Sequence, residues 1–180
     1  FIFLNIKSIH ILKIHLNPNH VVYIMMSKYK RGAVGGTFDI LHMGHKHLLD
    51  TTFRISDEVI IGVSSDNFVN KLNKTVINNY ENRTKNIEYF IKSTFPNIPY
   101  NIYKLDDYFG PASFLDNIDV IVLTSENSHR LDSLNDERKS RSLSRLNGEI
   151  IELLNAKDGL PISTTRIKKG IIDSNGNSLI

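Results

Sequence analysis

Gly35-Gly36-Thr37-Phe38-Asp39-Ile40-Leu41-His42-Met43-Gly44-His45-Lys46-His47 is the stretch that decides the fold. A strand-like run over residues 30–34 precedes it, and an apolar-periodic run containing Leu48 and Leu49 follows. That order reads as a strand, a glycine turn and a helix from Gly44 to about Phe53, with both leucines facing inward. Glycine lets a ligand approach backbone where a Cβ would block it. His42 and His45 are three apart and share one face of a first helical turn. A helix N-terminus offers unpaired N–H groups and the positive end of a dipole, which suits phosphate. Imidazoles there add donors of adjustable charge, an arrangement fit for an anion whose charge grows during reaction. The plainer alternatives are surface histidines or a metal site, but no cysteine and no HExxH pattern accompanies them.

Outward from this stretch, Glu58-Val59-Ile60-Ile61-Gly62-Val63 has the length and β-branched content of a strand buried on both faces of a parallel sheet. Ser64-Ser65-Asp66 reads as a turn and helix cap, followed by a short helix over residues 67–72. Residues 81–93 form a helix with Ile87, Phe90 and Ile91 as its apolar stripe, stopped by Pro96 and Pro99. Further strands are expected at 100–105, 119–123 and 149–154, and helix at 112–115, at 125–141 and from Ser163. Strands alternating with helices predict an α/β fold: a Rossmann-like open parallel five-stranded sheet with helices on both faces and right-handed crossovers. Ligands of such sheets bind beyond the carboxyl ends of the strands, where the Gly35–His45 loop falls.

The chain has 180 residues, enough for one domain with its own core. With no cysteine, disulfides and thiolate catalysis are excluded. The net charge is +3, but Lys7 and Lys13 lie in an opening segment without acids. Charge therefore supports neither a nucleic-acid nor a membrane partner. Residues 1–25 read as a leader, non-native or disordered, broken by Lys7, His10, Lys13, His15 and Pro18. Met25 or Met26 is the expected natural start. The domain is expected over 26–173, with Asp173-Ser174-Asn175-Gly176 opening a disordered tail at 174–180.

Two further pieces carry chemistry. Asp158-Gly159-Leu160-Pro161-Ile162-Ser163-Thr164-Thr165-Arg166-Ile167 puts three hydroxyl residues and an arginine at a helix start. Hydroxyls there cap the helix and bond phosphate oxygens, and Arg166 adds a permanent forked charge. An ordinary N-cap with a solvated basic face is the bland counterpart. Lys74, with Lys71 as its rival, is a loop lysine that is either solvated or swung onto phosphates.

Gly36-Thr37-Phe38-Asp39, His42 and Gly44-His45 resemble the GTFDxxHxGH signature of the nucleotidyltransferase superfamily. Asp107-Tyr108-Phe109-Gly110-Pro111-Ala112 resembles the D-x-x-G-P-A segment of archaeal and eukaryotic phosphopantetheine adenylyltransferases. Asn135 and Arg138 resemble that family's N-x-x-R, and Lys157 through Ile167 its E-D-G-x-P-I-S-S-T-R-I run, with Lys157 for Glu and Thr164 for Ser. The resemblance implies adenylyl transfer from ATP to 4′-phosphopantetheine, giving dephospho-coenzyme A and pyrophosphate in the cytoplasm. It places His45 on the transition-state phosphate with His42 beside it, and Thr37 on the incoming phosphate. Lys74 and Arg166 neutralise phosphates, Ser163, Thr164 and Thr165 bind them through the helix end, and Arg138 is a further phosphate candidate. Gly36 and Phe38 shape the loop, while Asp39 and Arg83 orient it. Magnesium is expected on the pyrophosphate side, held by substrate oxygens and water, with no protein metal ligand. The Ile-Ser-Thr-Thr sequence also occurs in glycerol-phosphate cytidylyltransferases, so a cytidylyltransferase is the alternative. A nucleotide-binding module without catalysis is the alternative of another class.

Overall fold

The structure, a computed structural model, describes residues 2–6, 9–17 and 20–180, with side chains from Ser27 onward. The expected leader falls on side chains outside that description. Its backbone runs as three antiparallel strands, β1 (Ile2–Ile6), β2 (Ile9–Asn17) and β3 (His20–Met26), in a sheet of their own.

The domain then alternates as the hydrophobic pattern predicts. It runs β4 (Tyr29–Gly36), α1 (Met43–Ile55), β5 (Ser56–Ser64), α2 (Asp66–Lys71), α3 (Tyr80–Thr94) and β6 (Tyr100–Leu105). After a 3-10 turn at Gly110–Ser113 come β7 (Val120–Thr124), a second 3-10 turn at Ser125–Asn127, α4 (Arg130–Ser140), β8 (Asn147–Ile151) and α5 (Thr164–Lys168). The five strands β4 to β8 are all parallel, in the order β6-β5-β4-β7-β8. The chain thus winds outward from β4 in one direction, returns to its other side and winds outward again.

Alternation along each strand splits the core into two layers. Val34, Val59, Ile61, Val120 and Val122 face α1 and α3, meeting Leu49, Phe53, Ile87 and Ile91. Ala33 and Ile60 face the opposite side, against Ala112, Ile118, Leu134 and Leu146. Each such side chain taken from water contributes roughly 1.5–3 kcal/mol before conformational entropy is set against it.

Three expectations are corrected. The fifth strand ends at Ile151 rather than Leu154, because the Leu154 carbonyl accepts Ile162 N–H and is drawn into the C-terminal segment. The helix expected from Ser125 starts at Arg130, since 3-10 geometry takes up the first turn. The segment expected to be a disordered tail is folded: Asp173 accepts N–H groups from Asn175 and Asn177, and Gly176 is buried against Ile162 and Ala156.

Strand β4 pairs with β5 along its whole length, but with β7 only at Gly32 and Ala33. Beyond Ala33 the two strands part. This is the point where the strand order reverses, so a crevice opens at the carboxyl end of β4. The glycine turn leaves the sheet there.

Candidate active site

The turn from β4 into α1 is held by its own side chains. Phe38 is fully buried with a positive φ of 52°, a conformation sparsely populated by residues with a side chain. Its ring lies edge-on to His45, 5.1 Å between centroids. His42 is the N-cap of α1, its Nδ1 accepting the His45 N–H at 3.4 Å. The two imidazoles stack 3.8 Å apart. Gly44 is needed for this packing, because a Cβ there would sit 3.1 Å from His42 Cε1, with the Ile162 carbonyl 3.7 Å away.

These contacts define the proton positions. A carbonyl only accepts, so His45 Nδ1, 3.0 Å from Ile40 O, carries a hydrogen. His42 Nδ1 accepts, so its proton is on Nε2. Burial pushes the His42 imidazole down to about 3, with the adjacent His45 adding to the effect. Burial pushes His45 down to about 4, against the opposing pull of the Ile40 carbonyl and Asp39. Both rings are neutral at physiological pH.

The first turn of α1 is not wholly free for an anion. Met43 N–H donates to Ser174 O at 2.9 Å, and Lys46 N–H to His42 O. With His45 N–H on His42, Gly44 supplies the remaining N–H of that turn.

Asp39 is buried and collects donors from two distant segments. Ile77 N–H and Asn78 N–H reach its carboxylate at 2.8–3.1 Å, and Lys168 Nζ lies 2.5 Å from it. Burial alone would raise this carboxyl; the ammonium and the two N–H groups overcome it and hold the pKa below the ordinary value. Asp39 is therefore an ionised tie between the glycine turn and these two segments. Lys168 also donates to Thr75 O at 2.6 Å, in the loop that carries Lys74. Lys74 itself is exposed, and its N–H closes the end of α2 on Val69 O.

At α5, Ser163 is the N-cap and its hydroxyl accepts Arg166 N–H at 3.4 Å. Thr164 and Thr165 open the helix beside it. Arg166 pairs with Asp158 and donates to the Leu160 and Pro161 carbonyls, so it folds its own loop. The Ile162 carbonyl's approach to Gly44 and the Lys168–Asp39 pair bring this segment onto the β4–α1 turn.

Arg138, a phosphate candidate, and Arg83, expected to orient the glycine turn, are both part of the scaffold. Arg138 is fully buried, and its guanidinium donates to the Ala112, Leu115 and Ser144 carbonyls at 2.6–2.8 Å. A fourth N–H reaches the Asp116 carbonyl at 3.5 Å, and a fully buried guanidinium so engaged with backbone corrects the phosphate assignment. Arg83, also fully buried, donates to Thr37 O at 2.7 Å and Asn78 O at 3.0 Å and pairs with Asp66 at 2.6 Å. It orients the glycine turn and the 72–79 loop instead of meeting a ligand. Residues missed from sequence are Asn78, Lys168 and Ser174. Their partners lie too far along the chain for any local pattern to signal them.

Cavities flank the turn. One of about 450 Å³ is bounded by Ile40, Leu41, Lys46, Asn78, Tyr89 and Phe90. A smaller one, about 40 Å³, lies under the β4 end, with Gly35, Gly62, Leu105, Tyr108 and Phe109 in its wall. Among the described residues, no three or more His, Cys, Asp or Glu side chains converge to hold a metal ion.

A histidine pair on a glycine turn at the switch crevice, closed by a hydroxyl-rich helix start, is an anion-transfer architecture. The cytidylyltransferase-like family matches residues 33–170. A phosphopantetheine adenylyltransferase of Methanothermobacter thermautotrophicus is 37% identical over 153 residues, covering 85% of this chain and 92% of that protein. The chain belongs to the phosphopantetheine adenylyltransferase family. Another member, from Methanosarcina acetivorans, is 39% identical over 80% of this chain and 92% of its own length. A third, from Thermococcus gammatolerans, is 34% identical over 86% of this chain and 98% of its own. Among solved structures, a protein of unknown function from Archaeoglobus fulgidus superposes with a TM-score of 0.61 at 22% identity, covering 67% of this chain and 88% of that one. That likeness shows the fold. Membership of this adenylyltransferase family makes the chain a nucleotidyltransferase, and the motif residues from Gly36 to Lys168 all fall inside the matched region.

Proposed function

We propose that the chain transfers adenylyl from ATP to 4′-phosphopantetheine, giving dephospho-coenzyme A and pyrophosphate. The observation that carries the reading is the stacked His42–His45 pair at the crevice where β4 and β7 part, with the Ile162–Lys168 segment closed onto it. The substrate pair is supported by the relatives' names and by near-complete coverage of their length.

The nucleophile is a phosphate oxygen of phosphopantetheine, already ionised at neutral pH. It forms a bond to the α-phosphorus of ATP as the bond from that phosphorus to the β-phosphate oxygen breaks. Pyrophosphate leaves with the electron pair, and no proton need be moved. The protein's task is alignment and stabilisation of charge. His42 Nε2–H and Gly44 N–H are ready donors, and His45 becomes one when it takes up a proton. Thr37 holds the incoming phosphate. Thr164 and Thr165 receive the triphosphate at the start of α5, and Arg166 lends charge while holding the 158–161 loop. Lys74 reaches the phosphates from its loop. Lys71 ends α2, a turn away from the part of the loop that Asp39 and Lys168 hold, which favours Lys74. Magnesium arrives on the oxygens of ATP. Among the described residues no carboxylate cage holds it, and no step above passes through it.

The test is pyrophosphate release with magnesium, crossing ATP or CTP with phosphopantetheine, glycerol 3-phosphate or flavin mononucleotide. Release from ATP and phosphopantetheine alone is the expected result. Release from CTP moves the chain to cytidylyl transfer, and ATP binding without release from any pair makes it a nucleotide-binding module.

A further inference from the structure

Lys168 lies outside the motif positions that carry the proposed chemistry, yet it touches both halves of the site. It sits at the last turn of α5, five residues after the Ser163 cap. Its ammonium lies 2.5 Å from the Asp39 carboxylate of the glycine turn and 2.6 Å from the Thr75 carbonyl of the 72–79 loop. Asp39 in turn accepts the N–H groups of Ile77 and Asn78 from that same loop, and Asn78 Nδ2 donates back to Asp39 O at 2.6 Å. Three segments far apart in sequence are thus tied at one ion pair, whose carboxylate is buried and whose lysine reaches in from the surface.

Other anchors of the 72–79 loop are Arg83 Nε on Asn78 O and the Lys74 N–H on Val69 O. Asn73, Lys74, Thr75 and Ile77 are all exposed, and the loop contributes no residue to the main core layers. Asn73 adopts a positive φ of 53°, so the loop is held in a bent course without glycine. A segment with so little buried surface takes its position from the polar contacts at its end.

We infer that Lys168 is a positioning residue that holds the Lys74 loop in register with the histidine turn, through Asp39 and Thr75. With its ammonium engaged by Asp39 and Thr75 O, Lys168 transmits position while Lys74 supplies the charge. The inference rests on the role proposed above for Lys74, and the experiment separates the two.

Hydrogen exchange of the full chain is compared for wild type, Lys168→Met and Lys168→Arg, with steady-state kinetics on these, on Lys74→Met and on the Lys168→Met/Lys74→Met double variant. In Lys168→Met, amide exchange in residues 75–79 is expected to rise about tenfold while β4 and β5 stay protected. Its kcat falls about tenfold, and the double variant falls no lower than Lys74→Met alone, because both changes remove one action. Lys168→Arg keeps a cation on Asp39 and restores both readouts. Unchanged exchange at 75–79 in Lys168→Met overturns the inference, as do losses that multiply in the double variant. A fully active Lys74→Met removes Lys74 from the mechanism instead, and the exchange result still decides whether Lys168 holds the loop.

Discussion

His45 keeps a proton on Nδ1, against the Ile40 carbonyl, and leaves Nε2 bare. To donate to a phosphate, that nitrogen must gain a proton, the second on the ring. A bound polyanion raises the ring from about 4 and favours this gain. Calorimetry of ATP binding near pH 6, in buffers of different ionisation enthalpy, should record proton uptake that His45→Asn diminishes. Removing the ring in His45→Ala should cost about 10²–10³ in kcat, the range for one preorganised donor, with the fold retained. Stability carries the same signature. His42 and His45 titrate at about 3 and 4 in the folded chain against 6.5 when unfolded. Between those values the unfolded chain binds more protons, so stability is complete above pH 6.5 and declines as pH falls towards 4. The urea midpoint should trace that decline. His42→Asn, which retains a cap acceptor, should flatten it. Asp39 runs beside this effect at lower pH: its depressed pKa contributes stability that is lost only as pH falls through the folded value. Arg138→Met tests the scaffold assignment, since stranding buried carbonyls should cost about 3 kcal/mol of stability and leave KM for both substrates unchanged.

Among the elements, α1, α3 and the parallel strands were legible because their signals are local. Leu48, Leu49, Ile87 and Ile91 recur at helical spacing, and each is buried where that spacing puts it. Ile91→Ala should lower the unfolding free energy by about 2–5 kcal/mol. Helix α4 was less legible, because its inward face is built differently. Asn135 pairs with the Leu146 backbone in both directions, and Arg138 takes carbonyls, so polar side chains occupy positions where an apolar stripe was sought. Arg138 reads as a phosphate candidate for the same reason, since the Ala112 and Leu115 carbonyls that take up its guanidinium lie on another segment. The histidine turn and the Ser163–Arg166 helix start were legible as motifs. Their meeting through Gly44, Ile162 and Lys168 was not, since no local spacing records it.

At the scale of the whole molecule, the doubly wound order puts the site at the parting of β4 and β7, and the C-terminal residues complete it. The Asp173–Asn177 contacts shape this segment, and the Ser174 and Gly176 carbonyls dock it by accepting the Met43 and Lys157 N–H groups, with Ile172 buried. Deleting residues 173–180 should therefore lower stability by about 1–3 kcal/mol, read by urea denaturation, and weaken ATP binding while the parallel sheet survives in circular dichroism. That docking also has a consequence in time. The ribosome delivers the histidine turn early, but the residues that close on it, Lys168 and Ser174, follow only after well over a hundred more have been added. At bacterial-to-eukaryotic synthesis rates of about 5–20 residues per second, that is an interval on the order of ten seconds. Throughout it the nascent chain can carry its signature sequence and still lack the contacts that close on it, so the site is completed only once the 168–174 segment has been made.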